Sequence, residues 1–164
     1  MKRACRVLAA FLVLAALLAG CNKPEVPDQT VTCQDLTLTL PGDYVNLSGE
    51  DYAADVEFLY GHGDEAVLGI KQSRSVFMES FPEMSALDFA QLFVDKAGLA
   101  LEITEQDGFA TFLYTANAAG TEVTYLSGVY MTEENFWVVQ FYCPSEYFSG
   151  RQADFMRFLG SVEA

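Results

Sequence analysis

Histidine and tryptophan are almost missing from this chain: its 164 residues hold one of each, His62 and Trp137. Zinc sites need three or four protein ligands, mostly Cys and His, and no such spacing occurs here. A Ser–His–acid triad would have to use His62. Basic residues are also few, nine against 23 acidic ones, for a net charge of −14. Such a surface repels phosphate backbones, which argues against nucleic acid as a partner. No glycine-rich loop of the phosphate-cradling kind is present. Nor is there an apolar run long enough to cross a bilayer: the longest, 7–18, has about 12 residues where about 20 are needed.

What that run does instead is set by its flanks. Lys2, Arg3 and Arg6 precede it, and Leu18-Ala19-Gly20-Cys21 follows. A basic start, a short apolar core and small residues make a secretory signal. The last four residues resemble the lipobox of bacterial lipoproteins, which implies cleavage before Cys21 and lipidation of its thiol. The expected organisation is a signal peptide over 1–20, a linker over 21–30 carrying Pro24 and Pro27, and one domain over 31–164. Cleavage removes three basic residues and no acidic one, so −14 becomes −17. A two-chain lipid anchor binds a membrane stably, and the acidic domain should stand off its surface. The membrane, through that anchor, is the one expected partner of known chemistry, and the expected location is the outer face of the cytoplasmic membrane.

Two further cysteines, Cys33 and Cys143, lie in the expected domain. In an exported chain an even pair is a disulfide candidate. Both sit in apolar segments, where free thiols also pack well. The sequence leaves both readings open.

Alternation over 31–40 places Leu36, Leu38 and Leu40 on one face of a strand and Thr37 and Thr39 on the other. Segments 56–60 and 66–72 read as a hairpin across the turn 61–65. Ser85 with Asp88 three residues later opens a helix, Leu87, Ala90, Phe93 and Val94 recur at helical spacing, and Gly98 stops it. Strands are expected over 99–105, 109–115, 122–131 and 136–143, joined by short turns that favour an antiparallel meander. A last helix is expected over 146–159. Segment 136–143 is apolar at nearly every position, so it is covered on both sides. The expected fold class is α+β, an antiparallel sheet meander sandwiched between helices.

This order of elements resembles the PsbP-like fold. The resemblance rests on Leu38, Pro41 and Tyr44, on Leu87 and Phe93 of the first helix, and on segment 108–114. It continues in the 136–141 strand and ends in Phe155, Phe158, Ser161 and Val162. It covers most of residues 31–162 and implies a binding or assembly role more than an enzymatic one. It carries over no metal, cofactor or catalytic residue.

The remaining candidates come from the residues themselves. His62 could be a ligand with Asp64 and Glu65, but a solvated turn is the simpler reading. Asp51, Asp55 and Glu57 lack the alternating oxygen ligands around a glycine that calcium needs. Ser127-Gly128 lacks the strand–turn–helix setting of a nucleophile elbow. The aromatic residues mostly suit a two-sided core. Phe77 and Phe81 differ, lying between a strand and a helix, and are the candidate partner-binding loop. The expectation is a lipid-anchored, non-enzymatic binding or assembly module whose partner is an envelope protein or a small-molecule ligand. A carboxylate-based envelope hydrolase and a structural envelope protein with a permanent partner are the alternatives.

Overall fold

The computed structural model describes residues 26–47 and 55–164. Cys21, the lipidation candidate, and Asp51 lie outside the described residues.

The segment 31–40 is not one strand. It belongs to a hairpin, β1 (Gln29–Cys33) and β2 (Leu36–Leu40), paired from Gln29 with Leu40 to Cys33 with Leu36. Its turn, Gln34-Asp35, contains neither glycine nor proline, and Gln34 adopts φ 55°. That is a left-handed conformation uncommon for a residue with a Cβ, so no turn signal marked it. Pairing begins at Gln29, ahead of the expected domain boundary. The leucine alternation holds: Leu36, Leu38 and Leu40 are fully buried.

The main sheet comprises β3 (Val45–Asn46), β4 (Val56–His62), β5 (Glu65–Ser73), β6 (Thr104–Gln106), β7 (Phe109–Ala118), β8 (Thr121–Met131) and β9 (Asn135–Pro144). Its order is β3-β4-β5-β9-β8-β7-β6, with every pair antiparallel. The β4–β5 hairpin and the β6-to-β9 meander match expectation. The β5–β9 pairing joins them into one sheet. The strand expected over 99–105 shrinks to β6, and Leu99, Leu101 and Ile103 pack as irregular chain against the core.

Three helices are described: α1 (Ser75–Met78), α2 (Ala86–Lys96) and α3 (Ser145–Leu159). Ser85 caps α2 as expected, its hydroxyl accepting from the Asp88 amide while the Asp88 carboxylate accepts from the Ser85 amide.

Strand β9 is buried on both faces. Trp137, Val139, Phe141 and Cys143 point to one side, where they meet the β2 leucines and Phe155, Phe158 and Leu159 of α3. Phe136 and Val138 point to the other side, against Phe89, Ala90 and Val94 of α2. The helical cover is therefore uneven. One face carries α2, and on the other α3 shares the cover with a β-hairpin. The result is an α+β domain dominated by its sheet rather than a sheet held between two helical layers. Gly69 is required by this packing. The Phe58 ring lies against it on the way to Trp137, and a Cβ there would overlap that ring.

Among the described residues no helix is long and apolar enough to cross a membrane.

Candidate functional site

Chain entry into α2 shapes the most distinctive surface. Helix α1 is a single turn, and its short length separates side chains that sequence alone would group together. Phe77 turns inward, edge-on to Phe89 (5.6 Å between centroids) and Phe136 (6.0 Å), which themselves stack at 4.5 Å. Val76, Met78 and Phe81 stay out, Phe81 57% exposed. The candidate loop thus divides: Phe77 packs half-buried against the core, and Phe81 faces solvent.

Phe81, Pro82 and Met84 form one wall of a groove of about 640 Å³, and Leu92 on the outer side of α2 forms the other. Leu92 is 40% exposed. Glu83, Asp88 and Asp95 also line the groove, with no cation among its lining residues. Asp88 is engaged by Ser85, whose backbone and side-chain hydrogen bonds hold its carboxyl below the usual range. Asp95 accepts from the Gln91 amide at 2.7 Å. The site is an apolar trough with an anionic border.

His62 lies in a second, polar cleft of about 430 Å³ with Asp43, Tyr44, Glu65, Tyr147 and Arg151. Its ring faces Asp43, with Nδ1 3.2 Å from the Asp43 carbonyl oxygen and Nε2 3.8 Å from its carboxylate. Glu65 is engaged elsewhere, accepting from Arg151 Nη2 at 2.6 Å and from the Tyr44 hydroxyl at 3.2 Å. Burial and the Glu65 charge push the Tyr44 hydroxyl well up from its ordinary value. Burial opposes the charge on Arg151, but the bond to Glu65 and the surrounding charges of Glu65, Tyr44 and Asp154 together outweigh it and raise that group. Among the described residues no group of three or more His, Cys, Asp and Glu side chains is placed to hold a metal. Arg151 was missed by sequence reading; its position opposite Glu65, on a helix packed over β8 and β9, is a tertiary pairing with no local signature.

The other candidates do not assemble. Glu57 pairs with Lys71 at 3.4 Å and accepts from Gln34, whereas Asp55 borders a crevice beside α2. Ser127 is fully buried, and its hydroxyl accepts from Gln140. Cys33 and Cys143 are free thiols. Cys33 sits near Glu57, Lys71 and Asp35, and Cys143 near Glu65 and Arg151. Asp35 bonds Trp137, six residues from Cys143 along β9, a separation of roughly 20 Å in a strand. A disulfide spans Cα atoms at most about 7 Å apart, so this fold does not bring the two together. Burial, aided by neighbouring carboxylates, raises both thiols, which keeps them protonated and weak as nucleophiles.

No family model matches this chain, and no curated protein matches it. Solved structures do. The solution structure of cyanobacterial PsbP (CyanoP) from Synechocystis sp. PCC 6803 superposes with a TM-score of 0.57 at 11% identity, covering 89% of this chain and 96% of that one. A mutant of the protein Mog1 superposes with a TM-score of 0.53 at 12% identity, covering 84% and 95%. At such identities the likeness is one of fold: the chain has a PsbP-like fold.

Proposed function

We propose that this protein is a lipid-anchored, non-enzymatic binding module of the cell envelope that grips a protein partner through the Phe81–Leu92 groove. The observation that carries the reading is the pair of large apolar side chains held in solvent on either side of a trough bordered by carboxylates. Isolated exposed apolar residues are ordinary; two that line one concave surface are the mark of an interaction site. The border selects a partner segment with an apolar residue flanked by Lys or Arg.

Two features support the rest of the reading. The lipobox-like Leu18-Ala19-Gly20-Cys21 supports the anchor. Residues 26–28 enter the domain beside α3, where Asp28 pairs with Arg157 at 2.8 Å. That is the hairpin face, so a tether there leaves the α2 face directed away from the attachment side. The non-enzymatic reading rests on chemistry already satisfied: Glu65 is neutralised by Arg151, Ser127 is buried with Gln140, and His62 faces Asp43.

The test is site-specific photo-crosslinking in intact cells, with the photoreactive residue at position 81 or, as control, at exposed Tyr147. Position 81 should yield a discrete adduct that weakens with Glu83→Lys and Asp95→Lys, while position 147 should not. Equal labelling from both positions would refute the groove. Radiolabelled palmitate should enter the wild-type chain and not Cys21→Ser; label retained in that variant would refute the anchor.

A further inference from the structure

A crevice of about 490 Å³ opens between α2 and the sheet, adjoining the groove at Leu92. The sheet supplies Ile70 and Val138, and the helices supply Phe77, Phe89 and Phe93. Its size falls within the range of small-molecule sites, which combine an apolar lining with a few polar groups. The polar groups here are Gln72, Asp55 and Lys96.

Lys96 stands apart from the other cations. Lys71 pairs with Glu57, Arg151 with Glu65 and Asp154, and Arg157 with Asp28. Arg74 donates to the carbonyls of Thr132 and Glu133 and lies over the Phe136 ring. Among the described residues, Lys96 is the one Lys or Arg without a carboxylate or carbonyl acceptor. In a chain of net charge −14, the unengaged cation is the one that lines the aromatic crevice.

We infer that this crevice binds a small amphiphilic carboxylate, its apolar body against Ile70, Val138 and the three phenylalanine rings and its carboxylate at Lys96. The Gln72 amide offers a donor to the same head group. Asp55 opposes a second negative charge, which restricts the ligand to a monoanion. The site adjoins the proposed protein-binding groove at Leu92, but Lys96, Gln72 and the three phenylalanine rings line the crevice alone.

Equilibrium dialysis of the full chain tests this with naphthalene-2-carboxylate as probe and 2-naphthylmethylammonium as its cationic counterpart. One carboxylate should bind per chain, about tenfold more tightly than the ammonium compound. Lys96→Gln should weaken the carboxylate roughly fivefold, the upper range for an exposed ion pair. Ala97→Trp, which fills the crevice with a bulky ring, should weaken both probes by about tenfold or more. Both positions are solvent-exposed, so circular dichroism should show an unchanged fold. Equal affinity for the two probes, no saturable binding at millimolar concentration, or full affinity in Ala97→Trp would each overturn the inference.

Discussion

Asp35 joins the hairpin to the main sheet, and replacing it with alanine tests whether that junction matters. Its carboxylate accepts from the Trp137 indole at 2.9 Å, from the Asn135 amide at 2.8 Å, and from the Thr132 hydroxyl. All three donors belong to buried residues. Burial raises the Asp35 carboxyl, but these three hydrogen bonds outweigh that and hold it below its ordinary value. Hydrogen bonds to a charged group contribute about 1.5–3 kcal/mol each, and a simple sum would exceed 4 kcal/mol. Asp35 itself is exposed at the turn, so water replaces part of what is lost and charge contributions are screened. The expected cost of Asp35→Ala is therefore about 2–3 kcal/mol, and that of Asp35→Asn, which keeps one acceptor oxygen, about 1 kcal/mol. Because the folded carboxyl titrates below the unfolded one, its contribution is present above the unfolded value of about 3.9 and disappears as pH falls through the folded value. Urea titrations of wild type and Asp35→Asn, followed by Trp137 fluorescence, should differ at pH 7 and converge as the pH is taken below the unfolded carboxyl's range. A gap that persists undiminished at low pH, or a loss under about 0.5 kcal/mol for Asp35→Ala, would refute this account.

Three further outcomes follow from the packing. Ser85→Ala should cost about 1 kcal/mol in urea unfolding by removing the cap of α2, with Ser85→Asn near wild type. Gly69→Ala should lower stability by about 1–3 kcal/mol, since its Cβ must displace the Phe58 ring; a thermal melt equal to wild type would contradict that overlap. Cys33 and Cys143 should both react with iodoacetamide after denaturation without reductant, and dithiothreitol should leave the melting temperature unchanged.

Legibility in the sequence followed the range of the forces involved. The capping box of α2 is a bond between residues three apart, and the Leu36-Leu38-Leu40 alternation is a period of two; both were readable because the cause is local. The apolar run of β9 correctly announced two covered faces. It did not say that a hairpin would supply much of one cover, because the Gln34-Asp35 turn adopts its conformation without glycine. Gln34 is held from a distance instead, by Glu57 and Lys71 across the face. The same limit applies to the sites. Phe81 stood out as an aromatic residue in a loop, and it is exposed. Phe77 stood out on the same grounds, yet one turn of helix leaves it half-buried against Phe89 and Phe136. Lys96 and Arg151 gave no signal, since what distinguishes each is the presence or lack of a tertiary partner.

The location of both proposed sites beside α2 follows from simple dimensions. Seven strands at about 4.8 Å spacing make a sheet roughly 29 Å wide. Helix α2, with 11 residues, is about 16 Å long and some 10 Å across. One such helix cannot cover that width, so sheet beside it stays open: the aromatic crevice lies there, between α2 and the sheet, and the acid-bordered groove adjoins it at Leu92 on the outer side of the helix. On the opposite face a 15-residue helix and a two-stranded hairpin lie side by side and close the surface over Trp137 and Phe141. The two faces should therefore respond differently to changes in volume. Leu38→Ala, beneath the closed face, should cost about 2–5 kcal/mol because the space it leaves has nothing to fill it. Ala97→Trp, on the open flank, adds a large ring at less than about 1 kcal/mol, because the space already exists. Chemical unfolding of the two variants measures this contrast. Similar losses in both would mean that the α2 face is as tightly closed as the hairpin face, and neither site would have room for a ligand.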